Sequence, residues 1–426
     1  MVDVAKVRMF GQNIGTFVWD DSYRVARFEY DNDFVGKGIE PSPIMMPVQQ
    51  GRIYSFGSLN WDTFNGLPGM LADSLPDTYG RALFDQWLTL TGRTTSNPVE
   101  SLCFLGQRCM GALEFEPATG PSSDANMKFE IDTLIDVARE ALSKKKDFGV
   151  NLDVDSKAAI AEILRLGTSA GGQRAKAIIA YNKKTGEVRS GQISAPEGFD
   201  YYLIKLDGVT AEAGFKETEN FGRLEYSFSE LVKNCGIDMT ECSLIEENGR
   251  AHFLTKRFDR ENGRKIHMQT LCGMAHYDFR LKNGHSYEQA FNVMRRLRLP
   301  YSQAQEMFRR IVFNVVVRNQ DDHTKNISFL MDSSGQWSLS PAYDMGFAYN
   351  PLGAWTATHQ MSLNGKFDNI TRADLLSLAN ANNIKNASEI IDQVCETTAG
   401  WPELAKNCGV PQEMIDGIVP HMLLSI

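Results

Sequence analysis

Asp321-Asp322-His323-Thr324-Lys325-Asn326 is the stretch on which the reading of this chain turns. It follows a segment, 303–317, in which Phe308, Ile311, Val312 and Val315 recur at helical spacing. Two strand-like runs come next, joined by the turn Ser333-Ser334-Gly335, and then Asp344-Met345-Gly346. Asp321 and Asn326 have the D-x-x-x-x-N spacing of a phosphotransferase catalytic loop. Phosphoryl transfer asks little covalent chemistry of a protein. It needs a base for the attacking hydroxyl, metal ions on the β/γ oxygens and a cation on the phosphates. Asp321 is read as the base. The amide oxygen of Asn326 is one metal ligand, and Asp344, expected at the end of a strand, is another. Mg²⁺ keeps several waters, so two protein oxygens suffice. Asp322 is the alternative base but lacks the spacing. His323 is read as a neutral loop histidine that fixes backbone carbonyls rather than as a metal ligand.

The upstream residues supply the remaining parts. Lys205 sits inside the apolar run Tyr201–Leu206 (YYLIKL). A lysine buried there needs a partner. Glu225, on an expected helix over 221–235, can orient the ammonium toward phosphates. The glycine-rich segment 167–172 begins like a Walker A loop, but Gln173-Arg174 stand where Lys and Ser/Thr are required. A strand over 176–181 follows, where the P-loop has a helix. The backbone N–H groups of Ala170, Gly171, Gly172 and Gln173 are nevertheless candidates for phosphate contact. Thr168 and Ser169 place hydroxyls in the same loop.

Composition narrows the class. The chain has 426 residues, 42% hydrophobic and 23% charged, the proportions of a globular protein and not of a disordered one. A formal charge of −9 excludes a general binder of phosphate backbones. The arginines at 295, 296, 298, 309 and 310 are read as a solvated helix face. The apolar run 311–317 is broken by Asn314 and is too short to span a bilayer. The first residues lack the apolar core of a signal peptide. Seven cysteines without a C-x-x-C pair suit buried thiols in a reducing cytoplasm.

The expected organisation is tripartite. Residues 1–118 form an α+β subdomain, ended by the Pro/Gly/Ser-rich linker 117–126. Residues 127–260 form a strand-rich lobe with hairpins over 176–192 and strands over 201–206 and 251–258. Residues 261–426 form a helical lobe, with helices over 286–298, 303–317, 371–381, 387–399, 400–408 and 411–424. The fold class is therefore α+β, a bilobal protein-kinase-like fold preceded by an N-terminal α+β subdomain.

Read together, these residues resemble the HipA family of bacterial serine/threonine-protein kinase toxins. The resemblance spans essentially the whole chain. It rests on Leu67–Asp77 (LPGMLADSLPD) and Leu105–Leu113 (LGQRCMGAL) in the N-terminal part. In the kinase part it rests on Gly171-Gly172-Gln173, Tyr202–Leu206, Lys256-Arg257-Phe258-Asp259-Arg260, Asp321–Asn326 and Tyr343-Asp344. It implies ATP and Mg²⁺ as cofactors, with Lys205 on the phosphates and Lys256, Arg257 and Phe258 as the hinge against adenine. His323 joins the nucleotide-contacting residues, Asp321 is the base, and Asn326 and Asp344 hold the metal. It further implies autophosphorylation in the glycine-rich loop, on Thr168 or Ser169. The family position is usually Ser, and Thr168 departs from it. Implied partners are a HipB-like helix-turn-helix antitoxin and a protein substrate such as glutamate–tRNA ligase. DNA would be met only through the antitoxin, and no membrane is involved.

Two other functions compete with a protein kinase toxin. One is a small-molecule kinase of the aminoglycoside type, which shares the D-x-x-x-x-N logic. The other is a catalytically silent corepressor module.

Overall fold

The computed structural model describes residues 2–76, 78–90, 92–93, 95–120, 128–129, 131, 135, 174–191, 195–210, 220–261 and 263–426. Residues 121–126 of the expected linker over 117–126, and the glycine-rich segment 167–172 with Gln173, lie outside the described residues. The chain divides into two compact units. The first comprises Met1–Ile39, Val48–Gly222 and Ser243–His267, and the second Glu40–Pro47, Arg223–Cys242 and Met268–Ile426.

The first unit holds two sheets. Strands β1 (Val4–Met9), β2 (Gln12–Asp20), β3 (Val25–Tyr30), β4 (Ile53–Tyr54) and β5 (Glu114–Glu116) form an antiparallel sheet in the order β4-β3-β2-β1-β5. Its buried face alternates as strand periodicity requires, with Ala5, Val7 and Met9 inward on β1. Short helices α1 (Trp61–Phe64) and α2 (Gly69–Ala72) and longer α3 (Thr78–Leu90) and α4 (Pro98–Leu105) accompany it. Asn97 caps α4 by accepting from the Glu100 N–H.

The second sheet runs β10-β11-β9-β7-β8-β6. Its strands are β6 (Lys128–Phe129), β7 (Arg174–Asn182), β8 (Glu187–Ser190), β9 (Asp200–Thr210), β10 (Cys242–Glu247) and β11 (Arg250–Lys256). β9 lies centrally, and Lys205 on it stands opposite Lys176 of β7 and Phe253 of β11. A small hairpin, β12 (Arg260–Glu261) with β13 (Arg264–Lys265), follows.

Helix α5 (Phe221–Asn234) starts under the first unit's control. The carboxylate of Asp207, at the far end of β9, accepts from the N–H groups of Asn220 (2.9 Å), Phe221 (3.1 Å) and Gly222 (3.5 Å). These are orphan donors of a helix start, satisfied here by a residue distant in sequence. The rest of the helix packs in the second unit. Phe228 stacks on Trp401 at 4.7 Å, and Ser227 accepts from the Trp401 indole N–H.

The second unit is mainly helical: α6 (Leu271–Ala275), α7 (Tyr287–Arg296), α8 (Tyr301–Val317), α9 (Arg372–Ala381), α10 (Ala387–Ala399), α11 (Trp401–Asn407) and α12 (Gln412–Ile418). Strands β14 (His267–Thr270), β16 (Ser328–Met331) and β17 (Trp337–Leu339) form one small sheet. β15 (His285–Ser286) pairs parallel with β18 (Met361–Ser362). The axis of the unit is α8, whose Met307, Phe308, Ile311, Val312, Phe313 and Val315–Val317 are buried. Each such side chain contributes about 1.5–3 kcal/mol by leaving water. The helix stops at Arg318, which turns left-handed at φ 56° and lays its guanidinium 3.6 Å over the Tyr349 ring. The catalytic-motif loop begins directly beyond it.

Candidate active site

The loop after α8 is held from several sides. The N–H groups of Leu271 and Cys272, at the start of α6, donate to the carbonyls of Ile327 (2.7 Å) and Thr324 (3.1 Å). Thr324 Oγ1 donates to the Tyr277 carbonyl at 2.7 Å, and the Tyr343 hydroxyl donates to the Lys325 carbonyl at 2.7 Å. Across the motif, Asn326 Nδ2 donates to the Asp321 carbonyl at 2.8 Å. That bond is the structural content of the D-x-x-x-x-N spacing: it closes the loop and leaves the amide oxygen of Asn326 for another partner.

Asp321 and Asp322 have opposite surroundings. The Asp321 side chain is 52% exposed, with His323 Nε2 3.9 Å from Oδ1. Asp322 is buried. Its Oδ1 accepts from the Gln360 N–H at 2.7 Å, and its Oδ2 accepts from the Tyr287 hydroxyl at 2.6 Å and faces His359 Nδ1 at 2.8 Å. Burial, with the adjacent carboxylate, pushes the Tyr287 phenol well above its ordinary range, so it stays a donor. Asn314 Nδ2 donates to the same hydroxyl, and Asn319 Nδ2 donates to Asn314 Oδ1. Asp322 is thus the hub of a buried network, and Asp321 is the exposed carboxylate of the pair.

Asn314, Asn319, Asp322, His323, Asn326, Tyr343 and Asp344 line one concavity of the second unit. The ring of His323 meets Phe279 edge to face at 5.4 Å, and its Nδ1 is buried without a hydrogen-bond partner. Asp344 corrects one expectation: it does not end a strand. β17 stops at Leu339, Ala342 makes an isolated bridge to Met239, and Asp344 stands beyond it at φ 50°. Aspartate tolerates this left-handed geometry better than most residues. Among the described residues no three His, Cys, Asp or Glu side chains gather as a metal site. A cation here would be held by Asn326 and Asp344 with water, a donor set of hard oxygens that fits Mg²⁺.

The other expected site residues belong elsewhere in the fold. Lys205 lies on β9 of the first unit, its ammonium 5.8 Å from the Phe253 ring centre. Glu225 lies on the part of α5 in the second unit. Lys256, ending β11, pairs with Asp200 at 2.9 Å. Thr168, Ser169, Ala170, Gly171, Gly172 and Gln173 lie outside the described residues.

The side chain of Arg257 turns into the first unit. Its side chain is 2% exposed and gives two hydrogen bonds to Asp259, Nε to Oδ1 at 2.8 Å and the terminal nitrogen to Oδ2 at 2.7 Å. Any adenine contact at this residue therefore falls to its backbone. Asp259 also accepts from Arg260 at 2.8 Å and from the Gly111 N–H at 2.7 Å. Arg260 in turn donates to the carbonyls of Gly111 and Cys109, each at 3.0 Å. Burial by itself would raise the Asp259 carboxyl, but Arg257 and Arg260 outweigh it and hold the group below the usual carboxylate range. Burial pushes Arg260 down to about 10, which still leaves it charged at neutral pH. No local pattern in the sequence points to Asp259, because Gly111, which donates to it, lies 148 residues away.

Comparison with known proteins places this geometry. Residues 5–116 match the HipA N-terminal domain and residues 168–401 the HipA-like C-terminal domain. The chain belongs to the HipA family. Its fold is shared with HipA of Shewanella oneidensis MR-1, solved with HipB and its operator DNA. The two superpose with a TM-score of 0.65 at 17% identity, over 98% of this chain and 94% of that one. A Haemophilus influenzae protein named "Putative kinase" is 29% identical over 136 residues, 28% of this chain and 39% of the relative. Y4dM of Sinorhizobium fredii, named likewise, is 27% identical over 218 residues, 46% of this chain and 52% of the relative. The chain thus spans about half or less of the curated relatives it matches.

Proposed function

We propose that this HipA-family chain is an ATP- and Mg²⁺-dependent serine/threonine protein kinase that acts as the toxin of a toxin–antitoxin pair. The observation that carries the reading is the division of labour in the Asp321–Asn326 loop. The buried Asp322 and the Asn326–Asp321 bond fix the loop, and an exposed Asp321 carboxylate is left beside a concavity that also receives Asn326 and Asp344. Asp321 accepts the proton of the attacking hydroxyl. Mg²⁺ held by Asn326 and Asp344 would neutralise charge on the transferred phosphoryl group. Lys205 holds phosphates, Glu225 is the further acidic residue of the catalytic set, and the backbone of 256–258 borders adenine. Ala170–Gln173 cover the phosphates, and Thr168 or Ser169 receives an autocatalytic phosphate. The "Putative kinase" relatives and the shared HipA fold support this reading.

The partners follow from the same likeness. The Shewanella HipA was solved with HipB on operator DNA, which supports a HipB-like antitoxin for this chain and contact with DNA through that partner. A cytoplasmic translation protein such as glutamate–tRNA ligase is the proposed substrate. No helix among the described residues is long and apolar enough to cross a membrane.

The test is brief induction followed by phosphoproteomics, wild type beside Asp321→Asn, with radiolabelled ATP on the purified chains. Loss of the base should lower transfer by about a hundredfold or more. Equal labelling by the two proteins, or none by wild type on itself or on a lysate, would sink the reading.

A further inference from the structure

Two loops of the second unit meet beside the catalytic loop. One spans 276–284 and the other 347–360. Lys282 Nζ donates to the Ala354 carbonyl at 3.0 Å and clips them together. Both are anchored to the motif. The first accepts from Thr324 through the Tyr277 carbonyl and sets Phe279 against His323. The second brings His359 and the Gln360 N–H onto Asp322, and Gln360 Nε2 donates to the Trp355 carbonyl.

These anchored loops turn apolar side chains outward. Leu352 is 95% exposed, Leu281 54% and Trp355 47%. Single exposed apolar residues are ordinary. Three on two loops that are hydrogen-bonded to each other and to the segment that bears the candidate base are not explained by chance exposure. Cations stand beside them. Lys325 Nζ lies 4.8 Å and the Arg280 guanidinium 5.2 Å from the Phe279 ring centre. Neither has a carboxylate partner among the described residues. On a chain of net charge −9 this local basic pair is selective for a negative partner.

We infer that these two loops form a docking platform for a polypeptide substrate, a segment that carries an apolar side chain and a carboxylate close to its acceptor hydroxyl. Leu352 and Trp355 take the apolar side chain, and Arg280 with Lys325 takes the carboxylate. Side chains that stand out from the surface suit a chain laid across them, whereas a small metabolite is held in a closed cleft. Trp and Arg are also the residue types that dominate the energy of such contacts. The inference rests on the reading of Asp321 as the base, since the platform is defined by its place beside that residue.

Fluorescence polarisation of the full chain with two labelled peptides tests it. Both have a central serine. One has Leu and Glu flanking it, and the other has Gly and Lys. The first peptide is expected to bind about tenfold tighter or better, the scale of one buried apolar side chain. Leu352→Ser and Trp355→Ser should each remove most of that preference, and Arg280→Glu should invert the part due to charge. Leu352 is almost fully exposed, so its replacement leaves the fold intact. Equal affinities for the two peptides, or a preference that survives all three substitutions, would overturn the platform. Phosphoryl transfer to the same peptides is read separately. Its absence in wild type counts against the kinase reading alone, because binding is scored without it.

Discussion

Replacing Asp259 by Ala should cost more stability than any other single substitution considered for the first unit. The carboxylate is fully buried and accepts four hydrogen bonds: two from Arg257, one from Arg260 and one from the Gly111 N–H. Its removal leaves two guanidinium groups, 2% and 8% exposed, without their countercharge. Breaking a buried pair in this way costs about 3–5 kcal/mol, because the remaining charge can neither return to water nor find another partner. For a unit of this size 1 kcal/mol shifts the melting midpoint by about 2–4 °C, so the expected drop is roughly 6–20 °C. Urea unfolding followed by fluorescence measures it as a lower midpoint with an unchanged slope. A second arm separates charge from packing. The combined change Arg257→Met, Asp259→Leu, Arg260→Met removes all three charges and should recover part of the loss, but not all of it, since the Cys109 and Gly111 carbonyls lose their Arg260 donor. A loss below about 1 kcal/mol for Asp259→Ala would refute the argument, since it lies far under the cost of a stranded buried charge.

Three further outcomes are expected. Asp322→Ala should destabilise the second unit by about 3–5 kcal/mol in chemical denaturation, since the donors of Tyr287 and Gln360 and the His359 ring are left buried without it; a neutral result would show that the network is solvated. Gly222→Ala should cost about 1–3 kcal/mol by thermal melting, because its added Cβ would lie 1.8 Å from the Ala251 carbonyl oxygen and α5 must shift away from β11; an unchanged melt would mean that the helix start slides freely. His276, whose imidazole is pushed down to about 4 by burial, resists protonation in the folded state. The unfolded chain takes up that proton near pH 6.5, so the stability it contributes is complete above about pH 6.5 and is lost progressively as pH falls toward 4. His276→Asn, which suits the left-handed φ of 57° at this helix end, should flatten stability against pH across that window, as read by urea midpoints at stepped pH.

How much of this was legible in the sequence depends on how far apart the interacting residues lie. The Asp321–Asn326 loop was readable because its closing bond is local and its spacing is the geometry itself. Helices over 221–234, 301–317 and 387–399 were readable because each carries a continuous apolar face. The Asp259 cluster was not. It joins positions 148 residues apart, and no periodicity reports a contact of that range. Arg257 was placed at the adenine hinge through the family resemblance, which says nothing of its side chain, and that side chain is paired with Asp259 inside the core. The role of Asp207 at the start of α5 also escaped, because the acceptor comes from β9, 13 residues before Asn220, and not from the residues next to the helix. Asp344 was placed at a strand end by its likeness to the metal-holding aspartate that follows the strands of a kinase, but β17 stops earlier, at Leu339. The chain instead bridges once, at Ala342, and turns left-handed.

The two neighbouring aspartates at 321 and 322 show why a motif is more than its reactive residue. A base has to keep its carboxylate accessible, and an accessible side chain on a loop has many conformers. Restricting that loop costs about 1–2 kcal/mol of backbone entropy per residue, which Asp321 cannot offset because it is itself exposed. Asp322 supplies the compensation. It is the next residue, so its side chain points away from that of Asp321, into a core where Tyr287, His359 and the Gln360 N–H fix it. The segment it recruits, 359–360, continues into β18, which pairs with β15, and β15 leads into the Ser286 cap of α7, which carries Tyr287. The circuit therefore closes on itself: the buried aspartate positions the exposed one and also ties the loop bearing Trp355 to the same frame. On the proposed reading, a base and a docking surface that share one anchor keep a constant separation, and that is the geometric condition for choosing which hydroxyl of a polypeptide is presented to Asp321.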